Sequence, residues 1–438
     1  MHGIETKEHY LSAFRENQTR RVDAPPWLNG LRESAIASFK ALGFPTRRSE
    51  EWKYTNVEPI VSLAFGHGNG QAKALTADEL LALSFADFSC NRLVFINGTH
   101  VAAFSALREL PEGVRVQSLR DALTHDDELL QLHFGRYARY QREAFVALNT
   151  AFMEDGAVIV LPAGRRLEEP IYLVFVSTGG EGPVASYPRN LIVLGAGSEA
   201  KIVESYVGLG TGAYFTNAVT ELIGEENSIV DHYRLQRESK TGFHIGALEA
   251  RVGGNGHCTA HSITLGGSLV RNDVRVVLDG EGSECFLNGL YLMDGKQHVD
   301  NHTEIEHVRP RATSLELYKG ILGGSSRGVF NGKIVVHKDA QKTDARQTNK
   351  NLLLSEGAVV NTKPQLEIHA DDVKCSHGST IGQLDADALF YLRSRGIGRE
   401  HAQSLLSYAF ASDVVGRVKI PRMRARLDDF LLTKFGRK

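Results

Sequence analysis

The chain has 438 residues, of which 42% are hydrophobic and 23% are charged, as in ordinary globular proteins. This length can bury a large core with smaller flanking regions, and the composition argues against disorder or a coiled coil. The 50 lysines and arginines nearly balance the 52 aspartates and glutamates, and the formal net charge is −2. A nucleic-acid partner is therefore not expected.

The four cysteines, Cys90, Cys258, Cys285 and Cys375, form neither a Cys-x-x-Cys pair nor the framework of a small secreted domain. Their wide spacing suits a reducing compartment. The first residues lack a basic segment followed by an apolar run, and no window approaches the length of a membrane-spanning helix. We therefore predict a cytoplasmic protein without a membrane partner.

The region 1–150 is predicted to be mainly helical. Its clearest helix lies between a breaker at residues 25–26 and a turn at Gly43, where apolar residues recur at helical spacing. These residues are Leu28, Leu31, Ala35, Phe39 and Leu42. A second helical pattern runs from Ala77 to Leu83.

From Ala157 the pattern changes to short β-branched runs separated by Gly, Asn and Asp, and it continues for about two hundred residues. Examples are residues 157–161, 171–176, 190–195, 274–278 and 333–337. No helical pattern interrupts these runs, which argues against a βαβ fold. The sequence predicts a strand-rich core over residues 151–380, for which a barrel, a pair of sandwiches and a parallel solenoid all stay open.

Residues 381–438 are predicted to form a C-terminal helical domain. One apolar stripe recurs at positions i, i+3, i+4, i+7 and i+8. It comprises Ala402, Leu405, Leu406, Ala409 and Phe410. The glycines of the turn at residues 394–398 permit a sharp reversal between two helices.

No nucleotide-binding motif is complete. The segment 327–334 is the nearest to a phosphate-binding loop, but its first glycine is misplaced and Ile334 stands where a magnesium-binding hydroxyl is required. The glycine-rich runs at residues 208–212 and 253–256 do not lead into helical patterns, so we interpret them as turns between strands. The chain is therefore not expected to hydrolyse ATP itself.

Histidines cluster at two places. In the first, His257 and His261 share one face of a strand while Cys258 points to the other, so the three are expected to be structural. In the second, His298 and His302 share a face with two carboxylates, which is a possible carboxylate-histidine metal site. These carboxylates belong to Glu304 and Glu306.

Cys375 and His377 form the strongest candidate ligand pair. They lie two positions apart, so on a strand the sulfur and the imidazole share a face and can meet one ion or cluster. The pair is incomplete, because a metal or iron-sulfur site commonly needs four such ligands. The alternative is a small buried thiol and a hydrogen-bonded imidazole. Asp371 and Asp372 are expected to cap a turn or to orient the histidine.

Seven segments spread over nearly the whole chain carry a resemblance to a known family. They are residues 43–55, 299–303, 318–322, 329–334, 347–355, 375–385 and 390–397. Together they resemble the SufB/SufD family of iron-sulfur assembly proteins. The segment that begins Cys375-Ser-His377-Gly is more similar to SufD than to SufB, and the chain lacks the cysteine-rich N-terminal segment typical of SufB.

The resemblance implies a mainly β fold, a right-handed parallel β-helix flanked by N-terminal and C-terminal α-helical regions. It implies a scaffold subunit of the SUF complex without catalytic residues of its own. A SufB-like chain would pair with the lateral surface of the β-helix, and a SufC-like ATPase would dock on the C-terminal helices. For that docking surface we single out Arg395, Gly396 and Ile397.

By matching position, His377 would face the SufB interface and help to hold a nascent iron-sulfur cluster, with Cys375 as a second candidate ligand. The cluster would be transient, and no tightly bound cofactor is expected in the isolated chain. ATP-driven closure of two SufC subunits would twist the paired β-helices and expose this interface. Because the two partners share a fold, isolated chains are also expected to pair as a homodimer.

Two alternatives stay open. One is a β-helix carbohydrate-active enzyme, a lyase or hydrolase, that uses His369, Asp371 and Asp372 in a lateral groove. The missing secretory signal and an aromatic content of only 8% argue against it. The other is a structural scaffold in which Cys375 and His377 merely pack.

Overall fold

The computed structural model describes residues 2–18, 24–68, 75–86, 88, 90–124, 128–179 and 182–436. Most of these residues belong to two long sheets that share the turns of one solenoid. From Arg189 onward, successive strands alternate between the two sheets, so each strand pairs in parallel with the strand two positions later. This arrangement confirms the mainly β, parallel β-helix fold.

Helices and short strands precede the solenoid. They are α1 (His2–Gln18), α2 (Pro26–Leu42), α3 (Glu58–Val61), β1 (Gly66–His67), α4 (Ala77–Ser84), β2 (Asn91–Ile96), β3 (Thr99–His100), β4 (Arg115–Ser118), α5 (Leu119–Leu123), α6 (Glu128–His133) and α7 (Ala144–Phe152). Helix α2 begins at Pro26 and ends before Gly43, whose φ of 66° favours glycine. Strands β2 and β4 pair with the solenoid, so the sheets extend into the region predicted to be mainly helical.

The solenoid strands follow one another without an intervening helix. They are β5 (Ala157–Leu161), β6 (Ile171–Thr178), β7 (Val184–Ser186), β8 (Arg189–Leu194), β9 (Glu199–Leu209), β10 (Tyr214–Gly224), β11 (Ile229–Arg237), β12 (Gly242–Val252), β13 (His257–Thr264), β14 (Leu269–Leu278), β15 (Glu284–Met293), β16 (His298–His307), β17 (Thr313–Leu322), β18 (Arg327–Val336), β19 (Asp344–Leu353), β20 (Val359–Ile368) and β21 (Lys374–Gly382). Sheet A contains the even strands from β8 to β20, and sheet B contains the odd strands from β9 to β21.

Alternate side chains of every strand point into the solenoid, where those of consecutive turns stack. Two glycines make room for tyrosine rings in this interior. A Cβ on Gly289 would lie 2.1 Å from the ring of Tyr318, and a Cβ on Gly320 would lie 2.1 Å from the ring of Tyr291. Both contacts are too short for a carbon side chain, so the rings occupy the space that glycine leaves.

The outer faces of both sheets are partly covered by helices. Apolar side chains of α2 and α7 pack against sheet A, as Phe145 does against Phe215. Three C-terminal helices, α8 (Ala386–Ser394), α9 (Arg399–Val415) and α10 (Pro421–Gly436), follow the solenoid, and α9 packs on sheet B. Lys319 of β17 fixes α9 through an ion pair of 2.8 Å with Asp413.

The buried face of α9 differs from the predicted stripe. Leu405 and Ala409 are exposed, and the buried side chains near the end of the helix are those of Ala411, Val414 and Val415. Lys319 contacts the C-terminal half of α9 through Asp413 and the Phe410 carbonyl. These contacts hold the helix with its second face, rather than the predicted stripe, against sheet B.

A segment of the N-terminal region, residues 49–55, lies across the outer face of sheet A, and we call it the strap. The Trp52 ring stacks on the Arg271 guanidinium, whose carbon lies 3.9 Å from the ring centre. The Thr55 hydroxyl donates a hydrogen bond of 2.5 Å to the buried Asp300 carboxylate. The strap therefore joins the N-terminal region to β14 and β16 through polar contacts.

His302 holds the strap through charge. Its two ring nitrogens lie 3.2 Å from a carboxylate oxygen of Glu51 and 3.0 Å from one of Asp300. Burial and the nearby Arg271 lower the pKa of His302, but these two carboxylates outweigh them and leave the pKa above its usual value. Although burial opposes it, His302 and Arg271 hold the pKa of Asp300 well below its usual range.

We predict that the contribution of His302 to stability depends on pH. Because folding raises its pKa, this contribution is fully present below the unfolded value of about 6.5 and is lost as pH rises through the folded value. His302→Gln should therefore lower the free energy of unfolding more at pH 5.5 than at pH 8.5, as measured by urea denaturation.

His307→Gln is the matched control. Burial lowers the pKa of His307 to about 4, so its protonation in the unfolded state weakens the wild-type protein as pH falls. The cost of His307→Gln should be larger at pH 8.5 than at pH 5.5. Equal costs of His302→Gln at both pH values would contradict the charge role.

Candidate functional site

The last turn of the solenoid is open. Strands β20 and β21 pair with β18 and β19 along one edge, and neither has a strand partner on its other edge within the described part of the chain. Most earlier strand residues are buried, whereas most residues of β21 are exposed. The exposed apolar side chains there include Ile368 and Ile381, at 40% and 46% exposure. Unpaired edges and uncovered apolar groups are typical of an interaction surface.

Cys375 and His377 lie on β21 at this open end. Their Cα partners on β19 are Ala345 and Gln347, whose side chains are buried in the solenoid interior. Side chains paired in this way point to the same side of a sheet, so the thiol and the imidazole both face the mouth of the solenoid. The structure thus brings the two predicted residues together.

The two side chains differ in accessibility. Cys375 is half-buried and packs against an apolar cluster that includes Ile334 and Ala345, whereas His377 is exposed. Burial raises the pKa of the Cys375 thiol. Because metals bind the thiolate, this raised pKa disfavours Cys375 as a ligand at neutral pH.

The pair remains half of a site. In the described ranges, no group of three or more His, Cys, Asp or Glu side chains is arranged to hold a metal ion. An iron-sulfur cluster at this position would therefore need further ligands from another chain.

The second predicted metal site, around His298 and His302, is not formed. No metal-binding group of His, Cys, Asp and Glu side chains occurs there among the described residues, because the carboxylates bind arginines instead. Glu304 pairs with Arg139 at 2.6 Å and with Arg275 at 2.9 Å, and Glu306 also pairs with Arg275. Glu304 and Glu306 therefore belong to an ion-pair network with Arg139 and Arg275.

The side chains of the His257 cluster lie on two faces of β13, as the period of a strand predicts. His257 contacts Glu284 at 3.1 Å, while Cys258 points into the interior and His261 is buried against the Tyr233 ring. Burial lowers the pKa of His261 to about 3, so its imidazole is neutral at physiological pH. The three side chains do not converge.

A charged cavity of about 460 Å³, which the sequence did not reveal, lies between the strap, residues 139–146 and sheet A. Its walls include Trp52 and Glu143, together with Arg139, Arg275 and Glu304 of the network described above. Burial raises the pKa of Glu143 to about 7. Three separate segments form this cavity, and the only signal in the sequence is the row of charges at alternate positions of β14 and β16.

The residues of the enzyme alternative do not form a lateral groove. His369 follows β20, and Asp371 and Asp372 lie in the bend that leads to β21. Asp372 forms an ion pair with Lys342, and its backbone N–H donates to the Gln341 side chain at 3.0 Å. These contacts fix the bend before the Cys375 strand.

The predicted docking residues lie in the turn between α8 and α9. Arg395 is exposed and stacks on Tyr391, and Gly396 adopts a φ of 84°, which only glycine adopts without strain. The Ile397 N–H donates to the Leu392 carbonyl at 3.2 Å. Phe390, on the neighbouring turn of α8, is 74% exposed. The tip of the helical domain thus presents aromatic and cationic side chains to solvent.

Two family models match the chain. The model described as SUF system FeS cluster assembly, SufBD core domain, matches residues 175–410, and the SufBD protein N-terminal region matches residues 4–173. The N-terminal match therefore includes the strap, and the core match includes β21 and most of the solenoid. None of the described helices has the length and apolar composition to cross a membrane.

Relatives support the same assignment. An iron-sulfur cluster assembly SufBD family protein of Synechocystis is 35% identical over 95% of this chain and 93% of its own length. The iron-sulfur cluster assembly protein SufD of Escherichia coli is 34% identical over 85% of each chain, and SufD of Bacillus subtilis is 26% identical over 97% of each. This chain therefore belongs to the SufB/SufD family of iron-sulfur cluster assembly proteins.

Proposed function

We propose that this chain is the SufD-like, non-ATPase scaffold subunit of a cytoplasmic SUF complex that builds and transfers nascent iron-sulfur clusters. The observation that supports this most is the half-site of His377 and Cys375 at the open end of the solenoid, in a chain of this family. The matches offer no support for the carbohydrate-active alternative.

A SufB-like chain is the partner that we propose for the open end. A second β-helix with a similar open turn would supply strand edges for β20 and β21 and cover the apolar side chains there. The lateral faces are less suitable, because the strap and α7 cover part of sheet A and α9 covers part of sheet B. In the absence of that partner, a second copy of this chain would occupy the same edge and form a homodimer.

In this arrangement, iron and sulfide are cargo. The His377 imidazole binds the nascent cluster from one side, and thiolates and carboxylates of the SufB-like chain bind it from the other. Cys375 joins as a ligand only after its thiol releases a proton, since its pKa is raised by burial. No enzymatic step is assigned to this chain, and a SufC-like ATPase supplies the work that opens the interface.

We predict that His377→Ala lowers the cluster content of the anaerobically purified complex at least about tenfold, because it removes a ligand rather than a supporting group. Iron and acid-labile sulfide per complex are the measured quantities. His369→Ala is the matched control, since His369 is also exposed but lies outside β21. Normal cluster content in His377→Ala, with the partner still bound, would exclude the ligand role.

The turn between α8 and α9 is the surface that we propose for the ATPase. Arg395→Glu should abolish co-purification of the SufC-like ATPase, because it reverses an exposed charge beside Tyr391 without disturbing buried packing. Arg424→Glu, an equally large charge change at an exposed position of α10, is the control. Retention of the ATPase by Arg395→Glu would place the docking surface elsewhere.

A further inference from the structure

The solenoid interior directly below His377 contains two polar side chains in register. Along sheet B, the Cα partner of His377 is Gln347, and the Cα partner of Gln347 is Glu316. Neighbouring strands lie about 4.8 Å apart, so the three side chains form one column at right angles to the strands. Gln347 and Glu316 are buried, at 1% and 3% exposure, and only His377 reaches solvent.

The orientation of the Gln347 amide is fixed by its surroundings. Its Nε2 donates a hydrogen bond of 2.7 Å to Oε2 of Glu316. On the opposite sheet, Gly332 leaves space for this amide, because a Cβ there would lie 2.2 Å from Nε2. A carboxylate only accepts hydrogen bonds, so the ionised Glu316 binds the NH₂ group and leaves Oε1 at the other end of the amide.

This orientation leaves the other end of the amide without a partner. Oε1 of Gln347 is buried and accepts no hydrogen bond from the residues that the structure describes. A buried acceptor without a donor is unfavourable, because it has lost its hydrogen bonds to water and gained none in return. The side chain above it in the column is the His377 imidazole.

We propose that Gln347 is the positioning residue for His377. Its Oε1 accepts a hydrogen bond from the ring N–H of His377 that does not bind the cluster, and Glu316 holds the amide in the accepting orientation. Histidine ligands commonly need such an acceptor, which fixes the tautomer and the ring plane. This inference rests on the proposed function, because it gives the cluster-binding nitrogen its orientation.

The column also explains why a carboxyl group lies so deep in the interior. If the Glu316 side chain were apolar, the amide of Gln347 would be free to turn and present NH₂ to the imidazole. The nitrogen facing the amide would then accept, and the proton would lie on the nitrogen that has to bind the cluster. Glu316 therefore acts on His377 only through Gln347. Neither residue is a ligand.

The test uses the complete anaerobic complex of this chain with its partner, loaded with ferrous iron and sulfide and poised in a paramagnetic state. Pulsed electron paramagnetic resonance measures the quadrupole coupling of the remote imidazole nitrogen, which reports the hydrogen bond at that nitrogen. Gln347→Ala should change this coupling and lower cluster retention by roughly 10–100-fold.

Asn349→Ala is the matched control. Asn349 lies two positions further along β19, is also buried, and donates to the Tyr318 carbonyl at 3.2 Å, but its Cα partner is Ser379. Both variants remove a buried amide from the same strand, so urea denaturation should show a similar loss of stability. Only Gln347→Ala should alter the coupling.

Variants of Glu316 test whether this residue acts on His377 through Gln347. Glu316→Ala should reproduce the altered coupling although it leaves Gln347 in place, while Glu316→Gln retains an accepting oxygen and should preserve the wild-type coupling. If Gln347→Ala does not fold, these two variants still show whether the Gln347 amide positions the His377 imidazole.

The outcomes separate this inference from the proposed function. A wild-type complex without any histidine nitrogen coupling would overturn the ligand role of His377 and the inference with it. A coupling that is lost in His377→Ala but unchanged in Gln347→Ala and Glu316→Ala would leave the ligand role intact and overturn the positioning role alone.

Discussion

The hydrogen-bonded pairing of each strand with the strand two positions later, which holds from β8 to β21, is the constraint on which the molecule depends. This pairing stacks the turns of the solenoid and aligns interior side chains in columns. It also leaves unpaired backbone N–H and C=O groups only at the strand edges of the two ends. At one end the two sheets finish with the short antiparallel strands β3 and β4. At the other end the edges of β20 and β21 stay open, and the candidate ligands lie there. The site is thus a consequence of where the repeat stops.

Much of this architecture follows from the sequence. The helices at α2 and α4, the uninterrupted strands after Ala157, and the shared face of Cys375 and His377 all follow from local periodicity. Local spacing could not choose among a barrel, sandwiches and a solenoid, because that choice depends on pairing between residues far apart in the chain. The parallel β-helix was predicted from the resemblance to the SufB/SufD family instead.

The features that the sequence patterns did not predict depend on contacts between segments far apart in the chain. The face on which α9 packs is set by Lys319, which lies 94 positions before Asp413 and gives no periodic signal. The charges around Glu304 follow the spacing of a metal site, but Arg139 and Arg275 neutralise them. The column below His377 requires the register of three strands, which no sequence window contains.

The four thiols differ in their access to solvent, and the accessible one lies at the open end of the solenoid. Cys90, Cys258 and Cys285 are buried, and burial raises the pKa of Cys258 to about 12, so these three thiols are protonated and shielded from alkylating reagents. Cys375 is the one thiol among the four with partial access to solvent. A maleimide added to the folded chain would therefore mark the mouth of the solenoid, and a protein seated there would protect it.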